Sequence, residues 1–217
     1  AAGVAPQEGA SHPPRAPRVI PPMLEQLAGL YPALFGAVFL PLKRGIFQDL
    51  LAAHPELEPE ALKTALSIHT RSTRYLQGVA AGMKRHDLQG QPVEDMAPEH
   101  VHHALLEVFR RRQGRGGEDQ QAKLRSRIVQ AFEASGLSAE AYGALVRSRD
   151  EAVNAVLDAA MAEASARAAK DEALLRAFEA SGQAVDAFAD MYGLDPRVAA
   201  QTLERARRRR PAPAPAA

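Results

Sequence analysis

Positively charged side chains are concentrated in two stretches of the sequence from which acidic residues are absent. Residues 26–48 contain Lys43 and Arg44, and residues 61–86 contain a larger basic set without any Asp or Glu. That set comprises Lys63, His69, Arg71, Arg74, Lys84, Arg85 and His86. A folded domain that keeps carboxylates out of two segments is expected to have one positive face, which attracts polyanions over long distances. Chance clustering of charge on a solvated surface explains the same composition equally well.

Hydroxyl groups and one aromatic ring lie among these cations, at a predicted helix start. Thr70, Arg71 and Ser72 indicate a break between two helices, with Ser72 as the N-cap of the second helix. A helix N-terminus with hydroxyl groups is a favourable anion site, and arginine makes bidentate bonds to phosphate. Tyr75 has a ring that could stack on an unpaired base. Its position on the apolar stripe of its helix is more typical of a core residue whose hydroxyl is satisfied.

Short helices that begin at prolines are predicted to position these residues, so the expected fold class is mainly α. Proline is favourable at a helix start because its missing N–H is not needed there. Helices are predicted to begin near Pro22, Pro41, Pro59, Ser72 and Pro98, and the second is predicted to cover Leu42–Ala53. Residues 83–93 are predicted to form a small β-hairpin that turns at Gln89 and Gly90. Lys84 and Arg85 within it either bind an anion or protect a strand edge from pairing.

The composition excludes several classes of protein. The chain has 217 residues with 27 Lys and Arg, 26 Asp and Glu, and no Cys or Trp. The absence of Cys excludes disulfides, Cys-ligated zinc or iron–sulfur sites and a thiol nucleophile. No apolar run approaches the ~18 residues of a membrane span, and Ala1–Arg18 lacks the apolar region of a signal peptide. We therefore expect a cytoplasmic protein without a membrane partner.

Motifs for catalysis are absent from the sequence. It contains no Gly-rich phosphate loop followed by Lys-Ser or Lys-Thr, no Gly-x-Ser-x-Gly and no His-Glu-x-x-His. His100, His102 and His103 do not converge on one helix face, which disfavours a metal site. We expect neither enzymatic activity nor a cofactor nor a bound metal.

An internal repeat occupies the second half of the chain. Ile128–Gly136 (IVQAFEASG) recurs as Leu174–Gly182 (LLRAFEASG), and each unit is predicted to form a helix, a Ser-Gly stop, a second helix, a turn and a third helix. Residues 118–204 hold 9 basic and 15 acidic residues. The predicted organisation is a disordered arm at 1–18, a domain at 19–113, a linker at 114–122, a helical two-repeat module at 123–206 and a basic tail at 207–217.

Five blocks in the first half, in this order and spacing, resemble the ProQ/FinO family of bacterial RNA chaperones over residues 20–112. The blocks are Pro41–Leu50 (PLKRGIFQDL), Leu62–Leu66 (LKTAL), Thr70–Leu76 (TRSTRYL), Gly82–Gly90 (GMKRHDLQG) and Glu99–Ala104 (EHVHHA). The resemblance implies a compact helical domain with a small hairpin. Such a domain binds terminator-like RNA hairpins and their single-stranded 3′ ends, stabilises small RNAs and promotes pairing between RNAs.

The resemblance also implies roles for individual residues. Lys43 and Lys63 would meet phosphates, and Thr70, Ser72 and the start of the following helix would lie near the terminal nucleotide. Arg74 and Tyr75 would lie beside that pocket, while Arg85 would be a principal RNA contact with Lys84 next to it. Secondary contacts are expected from Arg44, His69 and Arg71. Ser67, where relatives often have Arg, and His69, where Tyr is usual, depart from the family pattern and bear on affinity.

Two alternatives concern the repeat half. Its Ala-rich helices are typical of a protein-interaction module or of self-association. The second repeat, Val185–Ala206, is also compatible with a DNA-binding helix-turn-helix, although its predicted recognition helix has few basic residues before Arg205. The acidic half could further dock on the basic face and compete with RNA. Deleting residues 118–217 would then strengthen RNA binding.

Overall fold

The computed structural model describes residues 21–112 and 118–211, which form eleven helices and one two-stranded antiparallel sheet. The helices are α1 (Pro22–Leu30), α2 (Pro32–Phe35), α3 (Ile46–Ala53), α4 (Pro59–Thr70), α5 (Thr73–Ala80), α6 (Pro98–Arg112), α7 (Glu118–Ser135), α8 (Ala139–Val146), α9 (Glu151–Ser181), α10 (Val185–Met191) and α11 (Pro196–Arg209). The strands are β1 (Arg85–His86) and β2 (Pro92–Glu94). The predicted helical fold with a small hairpin is confirmed. The arm predicted at 1–18 lies outside the described residues.

The chain divides into two compact units. The first contains the residues up to Tyr75 together with Arg85–Val93, and the second contains Leu76–Lys84 and the residues from Glu94 onwards. This division differs from the predicted domain boundary at residue 113. Helix α6 belongs to the second unit because it packs against α7 and α8.

The core of the first unit is built by short amphipathic helices. Leu27, Leu34, Leu50 and Leu62 are fully buried, and α1 packs against α2 and α4 while α3 packs against α4. The helix starts predicted near Pro22 and Pro59 are confirmed. The α4 start has a cap that the sequence pattern did not reveal. The Glu58 side chain accepts hydrogen bonds from two amides of the first turn.

The helix predicted over Leu42–Ala53 begins four residues late, at Ile46. Residues 41–45 instead form a bridge and a turn, because Leu42 pairs with His86 of the hairpin and Gly45 has a φ of 84°. This left-handed conformation is accessible to glycine without strain. The predicted start was therefore wrong, and Lys43 lies before the helix.

The predicted hairpin and its turn are confirmed. Gly90 has a φ of 74°, and Asp87 closes the turn by accepting hydrogen bonds from the amides of Gln89 and Gln91 at 3.0 and 2.9 Å. The carboxylate supplies the turn stability that an Asn or Asp directly before the glycine more often provides. The hairpin thereby holds Arg85 and His86 in an extended strand.

The second unit is an all-helical bundle. Helix α7 packs against α6 and α9, and α9 packs against α10 and α11. Helix α7 already begins at Glu118, so the linker predicted at 114–122 is wrong for residues 118–122. The rest of that segment, 114–117, lies outside the described residues.

The two sequence repeats have matching local geometry. Ser135 and Ser181 each donate a hydrogen bond to the carbonyl three residues earlier, at 2.6 and 2.7 Å, and each accepts one from the amide two residues later at 3.2 Å. The aromatic pairs are equivalent as well. Phe132 and Tyr142 are edge-to-face at 5.4 Å between ring centroids, and Phe178 and Phe188 at 5.2 Å.

Candidate nucleic-acid interface

The peptide groups of Leu42 and Lys43 join three of the predicted site residues. The Leu42 amide donates to Tyr75 Oη at 3.1 Å, and its carbonyl accepts from Arg85 Nη1 at 2.9 Å. The Lys43 amide donates to the carbonyl of His86 at 2.8 Å. We call Leu42, Lys43, Tyr75, Arg85 and His86 the Leu42 cluster. Residues from three sequence blocks are thus brought together at one place in the first unit.

Lys43 is held by a carboxylate within the same segment. Its Nζ lies 2.8 Å from Oδ2 of Asp49 in the first turn of α3, and both side chains are more than one-third exposed. The hydrogen bond that Lys43 donates to Asp49 and the negative charge of Asp49 raise the pKa of Lys43. An exposed pair of this kind exchanges readily with other ions. Any phosphate near Lys43 would therefore compete with Asp49, a partner that the sequence pattern did not reveal.

Tyr75 and His69 belong to a buried aromatic cluster. Tyr75 is 6% exposed and His69 is 2% exposed, and the His69 ring lies 4.6 Å from Phe35, 4.3 Å from Phe39 and 5.4 Å from Tyr75 between centroids. Burial lowers the pKa of His69 to about 4, so the ring is neutral at pH 7. The burial of both rings disfavours base stacking by Tyr75 and a surface RNA contact by His69, and an RNA-binding role of either residue stays a prediction. The Tyr75 hydroxyl accepts a hydrogen bond from the Leu42 amide, in agreement with the interpretation of Tyr75 as a core residue whose hydroxyl is satisfied.

Arg74 is the surface residue of this aromatic cluster. Its guanidinium carbon lies 4.9 Å from the centroid of the partly buried Phe39 ring, and the Arg74 side chain is exposed. A guanidinium held over an aromatic face is a flat cation that can stack on a base. Phe39 was not among the predicted site residues, because within the apolar run Ala33–Leu40 nothing in the sequence distinguishes it from a core residue.

The junction between α4 and α5 has the predicted cap. Ser72 Oγ accepts a hydrogen bond from the Tyr75 amide at 3.2 Å and donates to the His69 carbonyl at 2.7 Å, so Ser72 is the N-cap of α5. Thr70 Oγ1 donates to the Leu66 carbonyl at 2.9 Å. Both hydroxyl groups are partly buried, and their oxygens retain lone pairs that accept rather than donate. Donors for an anion at this junction come from the backbone and from nearby cations.

The remaining predicted cations differ in how they are held. Arg71 Nε and Nη2 donate to the Ser67 carbonyl and hydroxyl at 3.0 and 2.5 Å. Arg44 is exposed in the turn before α3. Lys63 is exposed on α4, and no carboxylate among the described residues pairs with it.

Lys84 belongs to the second unit, where its Nζ lies 3.4 Å from Asp95 Oδ1. The structure therefore does not place Lys84 in the Leu42 cluster.

The arginines near the end of the chain are largely bound to carboxylates. Arg205 and Arg209 bind the buried Asp171 at 2.8 and 2.6 Å, and Arg210 binds Glu172 and Glu179 at 2.8 and 2.6 Å. Helix α11 extends to Arg209, so the tail predicted from residue 207 begins within a helix. Residues 212–217 of that tail lie outside the described residues. These ion pairs leave few cations at this helix for DNA.

The buried His102 is hydrogen-bonded to a tyrosine. His102 is fully buried in the second unit, and its Nδ1 lies 2.9 Å from Tyr142 Oη. Burial, with a smaller contribution from the charge of His103, lowers the pKa of His102 to about 4. Burial raises the pKa of Tyr142 to about 12. Within residues 21–112 and 118–211, no three His, Asp or Glu side chains are grouped so as to hold a metal ion.

Comparison with known proteins supplies a family for part of the chain. Residues 19–121 match the profile of the ProQ/FINO family. The chain is 46% identical over 69 residues to the RNA chaperone ProQ of Shewanella frigidimarina, a match covering 30% of this chain and 34% of the relative. The chain thus spans about a third of the length of that curated relative.

A solved structure is also similar to part of the chain. It is the crystal structure of a FinO-like RNA chaperone from Neisseria meningitidis MC58, which is 34% identical. The match covers 38% of this chain and 85% of that protein, with a TM-score of 0.36.

Proposed function

We propose that the protein is an RNA chaperone that binds structured RNA through the first unit, since residues 19–121 match the profile of the ProQ/FINO family. The Leu42 cluster is the observation that carries the proposal. It joins residues of three resembling blocks around one peptide segment. The similar protein of Shewanella frigidimarina is an RNA chaperone by name.

The proposed ligand is a terminator-like hairpin with a free, single-stranded 3′ end. Exposed Lys63 and Arg74 neutralise phosphates, and counterion release makes the affinity fall steeply with salt. The capped start of α5 offers backbone amides to the 3′-terminal nucleotide, since a helix N-terminus favours negative charge. The Arg74 guanidinium on Phe39 stacks on an unpaired base. Selectivity then follows from RNA shape and the free end rather than from base edges in the stem.

Tyr75 and Arg85 contribute by positioning the backbone near Lys43. Each makes one hydrogen bond to Leu42, on opposite sides of the residue. This arrangement fixes the segment before α3 and thereby the place from which the Lys43 side chain extends. Arg85 is half-buried, and in the proposal its guanidinium contacts the RNA backbone as well as Leu42.

The proposed outcome is annealing without chemistry. Small RNAs are protected at their 3′ ends, and they leave once they have paired with a message or another RNA. The proposed activity takes place in the cytoplasm, where transcripts meet.

Fluorescence anisotropy with labelled nucleic acids tests the proposal. Four probes are compared: a hairpin with a free 3′ tail, the same hairpin with a 3′-phosphate, a tailless hairpin and a DNA duplex. We expect the tightest binding to the free-tailed RNA and an affinity that decreases with salt. Equal affinity for all four probes would contradict selectivity for the 3′ end, and preference for the DNA duplex would instead favour the helix-turn-helix alternative.

Two substitutions at the Leu42 cluster separate contact from positioning. Arg85→Ala removes a charge and a hydrogen bond to Leu42, whereas Tyr75→Phe removes only a hydrogen bond to the same residue. If Arg85 touches RNA, Arg85→Ala weakens binding much more than Tyr75→Phe, because a charge-assisted contact is worth ~1.5–3 kcal/mol. Equal losses would show that Arg85 acts only through Leu42. Thermal unfolding of both variants verifies that they remain folded.

A further inference from the structure

The second repeat exposes three large apolar side chains, whereas the equivalent positions of the first repeat expose only one, Leu145. Met191, Tyr192 and Val198 are 58, 51 and 53% exposed and lie within eight residues across the turn between α10 and α11. They are three of the eight large apolar side chains exposed in the described part of the chain. We call these three residues the repeat-2 patch. Exposed apolar groups concentrated in this way are typical of interaction surfaces.

The first repeat shows how the equivalent surface is covered. There α6 packs against α8, and His102 contacts Tyr142 with 5.6 Å between ring centroids. Val146, at the position equivalent to Tyr192, is 2% exposed. In the second repeat the helices that pack on α10 are α9 and α11, and the Tyr192 ring itself covers Phe188 at 4.6 Å. The side chain at this position is thus half exposed in the second repeat, as Tyr192, and buried in the first repeat, as Val146.

Charges beside the patch are of both signs and are not paired within the chain. Asp186 and Asp190 on α10 and Arg197 on α11 are exposed, and no ion pair joins any of them to another described residue. Acidic groups on α10 and a basic group on α11 make this surface complementary to a second copy in which α10 faces α11, because a two-fold axis repeats each such contact.

We propose that the repeat-2 patch is the interface of a homodimer, in which α10 of one copy faces α11 of the other. Met191, Tyr192 and Val198 of both copies form the apolar centre, and Asp186 and Asp190 of one copy face Arg197 of the second. The patch is small, so the dimer is weak and forms at micromolar concentrations. Given the proposed RNA-binding function, on which this consequence rests, a dimer would present two RNA-binding domains to two strands.

Sedimentation velocity of the full chain, treated with nuclease and measured from about 1 to 200 μM, tests the interface. The expected result is a monomer–dimer equilibrium for the original sequence. Met191→Glu should weaken dimerisation at least tenfold. Leu145→Glu is the matched control, since Leu145 is the equivalent residue of the first repeat and is 48% exposed; it should dimerise normally. A chain that stays monomeric throughout, or equal behaviour of the two variants, would overturn the proposal.

A charge exchange tests the orientation of the helices. Asp190→Arg and Arg197→Asp should each weaken the dimer several-fold, and the double variant should recover most of the loss, because the exchanged charges again face each other across the two-fold axis. If the double variant does not recover dimer affinity, α10 of one copy does not face α11 of the other. RNA anisotropy with Met191→Glu keeps the two proposals apart: unchanged RNA affinity of the monomer is expected.

Discussion

The cations of the first unit and those near the end of α11 differ in what they contact. Lys63 has no carboxylate partner among the described residues, and Arg74 lies over the Phe39 ring. Near the end of α11, Arg205, Arg208, Arg209 and Arg210 each bind at least one carboxylate. The stretch with the most arginines is therefore the one whose charge is largely neutralised. The availability of cations for an anion depends on their partners rather than on their number.

The difference follows from where the acidic residues lie. Residues 61–86 contain no Asp or Glu, and the single carboxylate of α4, Glu60, forms no ion pair with Lys63. Helix α11 instead packs along α9, which presents Asp171, Glu172 and Glu179 to it. Burial raises the pKa of Asp171, but hydrogen bonds from Arg205 and Arg209 outweigh this effect and lower the pKa overall. The arginines of α11 thus serve the packing of the repeats.

The largest expected effect is the loss of RNA binding on reversing charges of the first unit. Lys63→Glu combined with Arg74→Glu should weaken binding of the free-tailed hairpin by roughly 100-fold or more, since two charge-assisted contacts of ~1.5–3 kcal/mol each are lost. The matched control is Lys170→Glu with Arg207→Glu in the second unit. Arg207 also lies over a ring, 5.7 Å from the centroid of Phe178. Equal losses of RNA affinity in the two double variants would contradict the proposal that RNA binds the cations of the first unit.

The next effect concerns stability of the second unit. Asp171→Ala should lower the free energy of unfolding by about 3 kcal/mol, because two arginines lose a buried partner. Glu204→Ala breaks only the exposed pair with Arg208 and should change stability by less than about 1 kcal/mol. Urea denaturation measures both. RNA affinity should stay unchanged in Asp171→Ala, and a large loss of affinity would show that the ion pairs of α11 support RNA binding.

Acid should destabilise the first unit through His69. Its pKa is about 4 when folded, against about 6.5 in an unfolded chain, so the unfolded state binds the proton more readily. Stability is full above pH 6.5 and should fall by roughly 2–3 kcal/mol as the pH decreases towards 4. His69→Phe should reduce this dependence in urea titrations at several pH values. The pKa of His102 is lowered to about 4 as well, so some pH dependence should remain in His69→Phe. If the free energy of unfolding of this variant depends on pH as strongly as that of the original sequence, His69 is not responsible.

The smallest effects are expected from two helix caps. Ser72→Ala and Asp195→Ala should each lower stability by about 1 kcal/mol, because each side chain accepts hydrogen bonds at a helix start. Only Ser72→Ala should also weaken RNA binding, by a few-fold, since α5 begins at the proposed 3′-end site. Parallel measurements of unfolding and anisotropy test this difference. A similar loss of RNA affinity in Asp195→Ala would contradict it.

Local features of the fold were predictable from the sequence, whereas long-range contacts were not. Prolines at 22, 59 and 98 marked helix starts, Ser72 a cap and Gly90 a turn, because each effect depends on a few neighbouring residues. The helix start near Pro41 was wrong because Leu42 bonds to Tyr75 and Arg85, 33 and 43 residues away. No local pattern contains those partners.

In the candidate site, too, the contacts between residues far apart in the sequence were not predictable. The five sequence blocks contain the candidate cations, whose contact with RNA stays a prediction, but burial of His69 and Tyr75 and the pairing of Lys43 with Asp49 depend on packing. Phe39 was missed because its ring is distinguished only by the guanidinium placed above it. The ion pairs that Arg205, Arg209 and Arg210 form with α9 were likewise not predictable, since their partners lie 31 to 38 residues earlier in the sequence.

Photo-cross-linking from the RNA 3′ end tests the central claim most directly. A hairpin whose 3′-terminal nucleotide is 4-thiouridine is bound to the full chain and irradiated, and the cross-linked peptide is identified by mass spectrometry. We predict cross-links to residues 39–43 or 70–75, next to the Leu42 cluster and the start of α5. Cross-links confined to residues 196–211 would contradict the account, because they would place the RNA end on the arginines that the carboxylates of α9 already bind.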